Sequence, residues 1–185
     1  MYGMINEAAK LMIVKELGIE NWLKVSSAAK CPETFDAVSI YDDAMTYDII
    51  AAASELTSLS EEELLASFGE FWIDEIAAKE YESLLCQTGG CLFTCLQNLD
   101  VMHQRLESMF KGYRPPSFRV VEDDSGMFLK LDYYSERKGL LPFLVGIIQG
   151  LSRYYKQPTK IEVMPIDSNP MPCETLKITF VDEEQ

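Results

Sequence analysis

Basic residues are scarce in this chain: 16 lysines and arginines stand against 30 aspartates and glutamates, a formal net charge of -14. Such an acidic protein repels nucleic acid phosphates and anionic lipid surfaces, so the expected partner is a small ligand or a protein with a basic or mixed-charge face. Long apolar runs are missing too. The opening Met1-Tyr2-Gly3-Met4-Ile5-Asn6-Glu7 carries no basic leader, and no stretch has the length of a signal peptide core or a membrane span. A cytoplasmic protein that makes no membrane contact is expected. The five cysteines (Cys31, Cys86, Cys91, Cys95 and Cys173) are an odd set without a C-x-x-C pair, which argues against a disulfide framework and for a reducing compartment. No phosphate-cradling glycine loop, Ser-His-Asp set or paired-carboxylate motif is legible, so the chain is not expected to be an enzyme. It also lacks internal repeats and low-complexity breaks.

What remains is a chain of 185 residues, 48% apolar and 11% aromatic, which is rich enough in core material to rule out disorder despite its charge. A single domain over residues 1–185 is expected, burying roughly two thirds of its unfolded surface. The first two thirds read as helical. Apolar residues recur at helical spacing from Ile5 through Ala8, Ala9 and Met12, with Gly18 as a stop. A second helix is expected around Trp22 and a third from about Met45 to Ala53. Ser60 and Glu63 form a capping box that opens a fourth, whose buried face carries Leu64, Phe68, Phe71 and Trp72. After the break at Gly89-Gly90 a long helix runs from Leu92 to about Phe110, ending before Gly112 and Pro115-Pro116.

The pattern then changes period. Phe118 and Val120 alternate with polar neighbours, Asp124-Ser125-Gly126 supplies a turn, and a second alternating run completes a hairpin. A helix from about Leu141 to Tyr155 tolerates Pro142 in its first turn. Two further strands, Ile161 to Met164 and Leu176 to Val181, flank a loop at Asn169-Pro170. Helices first and strands later make an α+β domain, with an antiparallel sheet and a helix packed on it.

His103 is the one histidine, and it interrupts an apolar stripe formed by Leu96, Leu99, Leu106 and Phe110. An imidazole among leucines has three roles open to it: a hydrogen-bonded core residue, a partly exposed edge residue, or a metal ligand facing an apolar pocket; the first two are commoner. On the hairpin's second strand, Met127, Leu129, Leu131, Tyr133, Ser135 and Arg137 fall on one face at strand spacing. An apolar surface that ends in a phenol, a hydroxyl and a guanidinium suits a ligand that is greasy over most of its body and carboxylated at one edge, as haem is. The plainer alternative pairs Tyr133 and Ser135 with strand neighbours and gives Arg137 a surface ion pair. Cys86, Cys91 and Cys95 gather near one helix start, but a closed zinc site takes four ligands and no nearby histidine supplies the fourth. The run Glu61 to Glu63 reads as a solvated helix start.

Taken together, Tyr133-x-Ser135-x-Arg137, the isolated His103 and the opening Met1-Tyr2-Gly3 resemble the H-NOX (haem nitric oxide/oxygen-binding) family. Tyr41-Asp42-Asp43, Leu96-Gln97-Asn98-Leu99-Asp100, Pro116-Ser117-Phe118-Arg119 and Tyr133-Tyr134-Ser135-Glu136-Arg137 look especially like the haem domain of the soluble guanylate cyclase beta subunit and its bacterial relatives. The resemblance spans essentially the whole chain. It implies a non-covalent b-type haem (protoporphyrin IX iron) held between the helical part and the sheet part, in agreement with the lack of a C-x-x-C-H attachment motif. It further implies that His103 is the axial metal ligand, that Tyr133, Ser135 and Arg137 hold the propionates, and that Pro116 and Ile5 press on the porphyrin. Phe143 and Trp72 would line the side where gas binds. Phe143 falls where the family's dioxygen binders have a tyrosine, so the resemblance implies a nitric oxide sensor that also takes carbon monoxide and excludes dioxygen. Because no cyclase domain follows in this sequence, its output is expected to pass to a histidine kinase or a cyclic-nucleotide or cyclic-di-nucleotide enzyme. The alternative is a haem-binding gas carrier or store with no signalling partner.

Overall fold

The computed structural model describes residues 1–123, 128–165 and 173–181. The expected turn at Asp124-Ser125-Gly126, Met127 of the inward face, and the Asn169-Pro170 loop lie outside the described residues. The N-terminal part is helical: α1 Gly3–Leu17, α2 Ile19–Ala28, α3 Asp43–Thr57, α4 Glu61–Phe71, a π-helical segment Trp72–Ala77, α5 Ala78–Glu80, α6 Glu82–Thr88 and α7 Leu92–Met109. The C-terminal part follows as β1 Ser117–Glu122, β2 Phe128–Tyr134, α8 Leu141–Tyr154, β3 Thr159–Met164 and β4 Glu174–Phe180. The α+β expectation holds, and α5 and α6, between the helix opened by Ser60 and the one from Leu92, are additions to the order read from the sequence.

Local chemistry sets the boundaries. Gly18 adopts φ 85°, a conformation other residues resist, and its N–H closes on Val14 O to end α1. Asp42 caps α3 by accepting from Ala44 N at 3.0 Å. Ser60 and Glu63 form the expected reciprocal pair, Ser60 N donating to Glu63 Oε2 at 2.9 Å and Glu63 N to Ser60 Oγ at 3.2 Å. The π-helical turn after α4 was not legible in the apolar pattern. It widens the helix where Trp72, Ile73 and Ala77 meet the interior, the kind of place where π-turns recur.

The sheet has the strand order β1-β2-β4-β3, antiparallel throughout. Leu129, Leu131 and Tyr133 of β2 turn inward with Leu176 and Ile178 of β4, and Leu144, Ile148 and Leu151 of α8 cover them. A second cluster, built from Ala9, Ile13, Trp22, Ile49, Ile50, Leu64 and Phe68, fills the helical part. Trp72 packs against both. The two parts are joined where α4 crosses α8, with Gly69 and Gly146 each facing the opposite helix's backbone. No helix among the described residues is long and apolar enough to cross a membrane.

Candidate functional site

A cavity of about 550 Å³ opens between the two clusters. That lies inside the range of roughly 300–1,000 Å³ usual for small-molecule and cofactor sites. The helix α7 carries Leu99, Met102, His103 and Leu106 to its wall, which follows from helical spacing along one face. The His103 ring lies nearly parallel to Phe118, with centroids 5.6 Å apart at 28°, and Phe118 in turn stacks on Tyr133 at 5.5 Å and 26°. Tyr113 meets the imidazole edge-on at 6.3 Å. Among the described residues, no donor or acceptor reaches the buried His103 Nδ1. Burial pulls the imidazole down to a pKa of about 4 despite the opposing charge of Asp100, so His103 is neutral at neutral pH with a lone pair free.

This burial makes stability depend on pH in a defined window. The unfolded imidazole gains its proton near the ordinary 6.5 and the folded one near 4, so below 6.5 the unfolded chain binds more protons. The ligand-free protein is therefore expected to lose stability as pH falls from about 6.5 to about 4, with no contribution from this group above that window. Urea midpoints measured across the range check this, with His103→Gln as the reference whose profile lacks this component; parallel profiles would contradict it.

Asp100, one turn before His103, does not turn to the imidazole. Its carboxylate accepts from Phe118 N at 2.6 Å and Ser117 Oγ at 3.1 Å, which ties α7 to the start of β1 just after Pro116. Also in the cavity lining, Arg137 Nε donates to Asp43 Oδ2 at 2.8 Å and its Nη1 to Arg114 O at 2.7 Å. Burial raises the Asp43 carboxyl, but bonds from the Met1 amino group and Arg137 outweigh it and hold the group below the usual carboxylate range. Arg137 is thus a partly buried member of the cavity lining, and its guanidinium pairs with Asp43 as the plainer reading expected of an ion pair, though not at the open surface. Burial also raises the Tyr133 phenol, with a bond from Ser135 working the other way, so the phenol stays a protonated donor.

The strand-spacing account of these donors needs one correction. The strand β2 ends at Tyr134, so Ser135 and Arg137 are held by the turn that follows, in which Arg137 N donates to Ser135 Oγ at 3.0 Å. They still reach the same cavity. Ile5 from α1, Pro116 from the loop before β1, Trp72 at the π-turn and Phe143 on α8 line it as well, Phe143 packing on Phe68 at 5.0 Å. The structure therefore gathers around one space every residue that the resemblance assigns to the haem site. Asp43, Asp100, Tyr113 and Phe118 were missed. Asp100 was signalled by its place one turn from His103, and Phe118 by alternation in β1 opposite Tyr133, whereas nothing local marks Tyr113 or Asp43. Cys86 is exposed and Cys95 buried, and among the described residues no group of three or more His, Cys, Asp or Glu is placed to hold a metal ion.

A greasy slot with one neutral imidazole in its wall and a guanidinium at its rim defines a cofactor-holding domain of the α+β class. The family model described as Haem-NO-binding matches residues 2–163, and the chain belongs to that family, the H-NOX domains. Soluble guanylate cyclase 89Db of Drosophila melanogaster is 29% identical over 149 residues, covering 79% of this chain and 22% of the cyclase. The guanylate cyclase soluble subunit beta-2 of Rattus norvegicus is 33% identical over 108 residues, covering 58% of this chain and 16% of that one. This chain thus spans about a fifth of these cyclases' length. In fold it matches an H-NOX protein from S. oneidensis in the Fe(II)NO ligation state, with a TM-score of 0.82, 16% identity and coverage of 98% of this chain and 100% of the other. A structure solved to study H-NOX activation gives a TM-score of 0.85 at 20% identity, covering 100% of both chains.

Haem is the cofactor of this family, and the residues present fit it. The cavity is lined mostly by apolar side chains, the unspent Nδ1 belongs to a buried imidazole with coordinating capacity, and the Tyr133 and Ser135 hydroxyls and the Arg137 guanidinium in the same lining suit carboxylates.

Proposed function

We propose that this chain is a haem-based gas sensor that binds nitric oxide and carbon monoxide, excludes dioxygen, and signals to a partner enzyme in the cytoplasm. The convergence of His103, Tyr133, Ser135 and Arg137 on one apolar cavity carries this reading. Bound non-covalently as haem b, the cofactor supplies the iron that holds the gas. His103 would ligate the iron, Tyr133, Ser135 and Arg137 would hold the propionates, and Pro116 and Ile5 would bear on the porphyrin. Phe143 and Trp72 wall the gas side.

Phe143 offers no hydrogen-bond donor, and dioxygen, which relies on one for its partly negative outer atom, is discriminated against, whereas nitric oxide needs none. His103 would hold the iron from the α7 side, and nitric oxide at the iron would weaken that hold. Release of His103 would leave α7 free to move, and because Asp100 ties α7 to β1 that movement would pass to the sheet. The reader of that movement is a separate histidine kinase or cyclic-nucleotide or cyclic-di-nucleotide enzyme, and the acidic surface favours a basic docking face on it. This chain itself plays no catalytic part.

Absorption spectra test the gas selectivity. The reduced protein is expected to shift its Soret band with nitric oxide and with carbon monoxide and to stay unchanged on brief exposure to air. Phe143→Tyr supplies a hydroxyl and is expected to give a protein that retains dioxygen in air. Retention of dioxygen by the parent protein would refute the selectivity. Nitric oxide that leaves every co-expressed kinase and cyclase unaffected would refute the signalling role.

A further inference from the structure

Histidines that ligate metals almost always fix their orientation through the other ring nitrogen, which donates to a carboxylate, a backbone carbonyl or water and raises the basicity of the ligand. His103 departs from that habit. Its Nδ1 is buried and reaches no partner among the described residues. The carboxylate best placed to serve, Asp100 one turn back, is spent on Phe118 N and Ser117 Oγ. It anchors the residue whose ring stacks on the imidazole, and leaves Nδ1 without a partner among the described residues.

What touches His103 is aromatic. Phe118 lies against its face at 28°, backed by Tyr133 at 26° in a three-ring stack, and the register of β1 on β2 sets Phe118 directly opposite Tyr133. Tyr113 closes the stack with an edge-on contact, 61° from the imidazole plane. Ring planes are therefore controlled from the sheet, through a chain of contacts that begins at the Tyr133 of the propionate motif.

Resting on the reading of His103 as the axial ligand, we propose that Phe118 is a positioning residue. Its ring fixes the plane of the imidazole by stacking, in place of the hydrogen bond that Nδ1 lacks. Two consequences follow from this arrangement. With no acceptor on Nδ1 the imidazole is a poorer donor to the iron, so the bond is weak before any gas arrives. A stack resists tilting more than sliding, so once the bond is lost nothing directional holds the ring in place, and α7 is released with it.

Resonance Raman spectra of the reduced, haem-loaded protein read the iron–imidazole stretch directly. Phe118→Leu keeps most of the volume and removes the ring; its iron–imidazole band is expected to broaden and shift down, and detachment of His103 by nitric oxide to quicken several-fold. Phe118→Tyr keeps the ring and is expected to restore the parent band. An unchanged band in Phe118→Leu, or the same shift in both variants, overturns the proposal.

If Phe118→Leu fails to fold, a second comparison decides. His103→Gly loaded with haem takes either 4-methylimidazole, which retains an N–H, or its equal-mass isomer 1-methylimidazole, which has none. The same stretching frequency is expected from both, because the protein offers the N–H no acceptor. A higher frequency with 4-methylimidazole reveals an acceptor and overturns the proposal. An iron–imidazole band in His103→Gly without added imidazole would sink the axial role of His103 itself, an outcome that the Phe118 variants do not produce.

Discussion

Replacing His103 by glycine is expected to leave the chain folded and colourless. In the proposed role the imidazole is the side chain that holds the iron, and the remaining contacts to a flat apolar cofactor would be dispersion and hydrogen bonds. Losing it removes the iron bond altogether, whereas the fold loses little. Glycine in the middle of α7 costs about 1 kcal/mol of helix propensity. Part of that is offset because a buried imidazole with an unpaired nitrogen is itself unfavourable. Melting of the haem-free variant should thus fall only a few degrees below that of the haem-free parent, at roughly 2–4 °C per kcal/mol for a chain of this size. The Soret band should vanish on purification and return when free imidazole is added at millimolar levels. A variant that kept its Soret band without imidazole would show that iron is held elsewhere, and one that unfolded would show that His103 serves the core.

The second large effect falls on a residue with no side chain. An ideal Cβ at Gly146 would stand 1.9 Å from Ala66 O and 2.8 Å from Ala66 C, and one at Gly69 would stand 2.2 Å from Phe143 O. These are rigid helix backbones, so Gly146→Ala forces α4 and α8 apart. Overpacking of this kind costs up to about 3 kcal/mol or more, against about 1 kcal/mol returned by alanine's better helix propensity. The expected net loss is about 2 kcal/mol, a fall in melting temperature of roughly 4–8 °C. Phe68 and Phe143 sit on these helices and touch each other, so haem retention should weaken as well. Gly90→Ala, where an added Cβ meets nothing within 4 Å, is the matched control and should change neither property. Equal melting temperatures for the two variants would mean that the crossing yields more easily than its geometry implies.

Much of the architecture was legible because its causes are local. The stop at Gly18, the Ser60 and Glu63 box, the tolerated Pro142 and the change from helical to alternating spacing after Pro116 each depend on residues within one or two turns of each other. The site was legible to the extent that it repeats a pattern carried in short motifs. Ser135 and Arg137 show the limit. Their spacing from Tyr133 extrapolates a strand that ends at Tyr134, and a turn brings them to the cavity instead. The π-helical turn at Trp72–Ala77 left no trace in the apolar pattern, since the widening answers to what packs against it from α8.

By itself, the sequence determined the α+β class, the isolation of one imidazole on an apolar helix face, and the strongly acidic charge, because composition and short-range spacing suffice for these. Only the tertiary structure decided that Asp43 pairs with Arg137 from 94 positions away, that Asp100 serves Phe118 and leaves His103 unbonded, and that α4 and α8 meet at bare glycines. These are contacts between separate elements. They depend on how helices and sheet close around a shared space, and no periodicity along the chain encodes that distance.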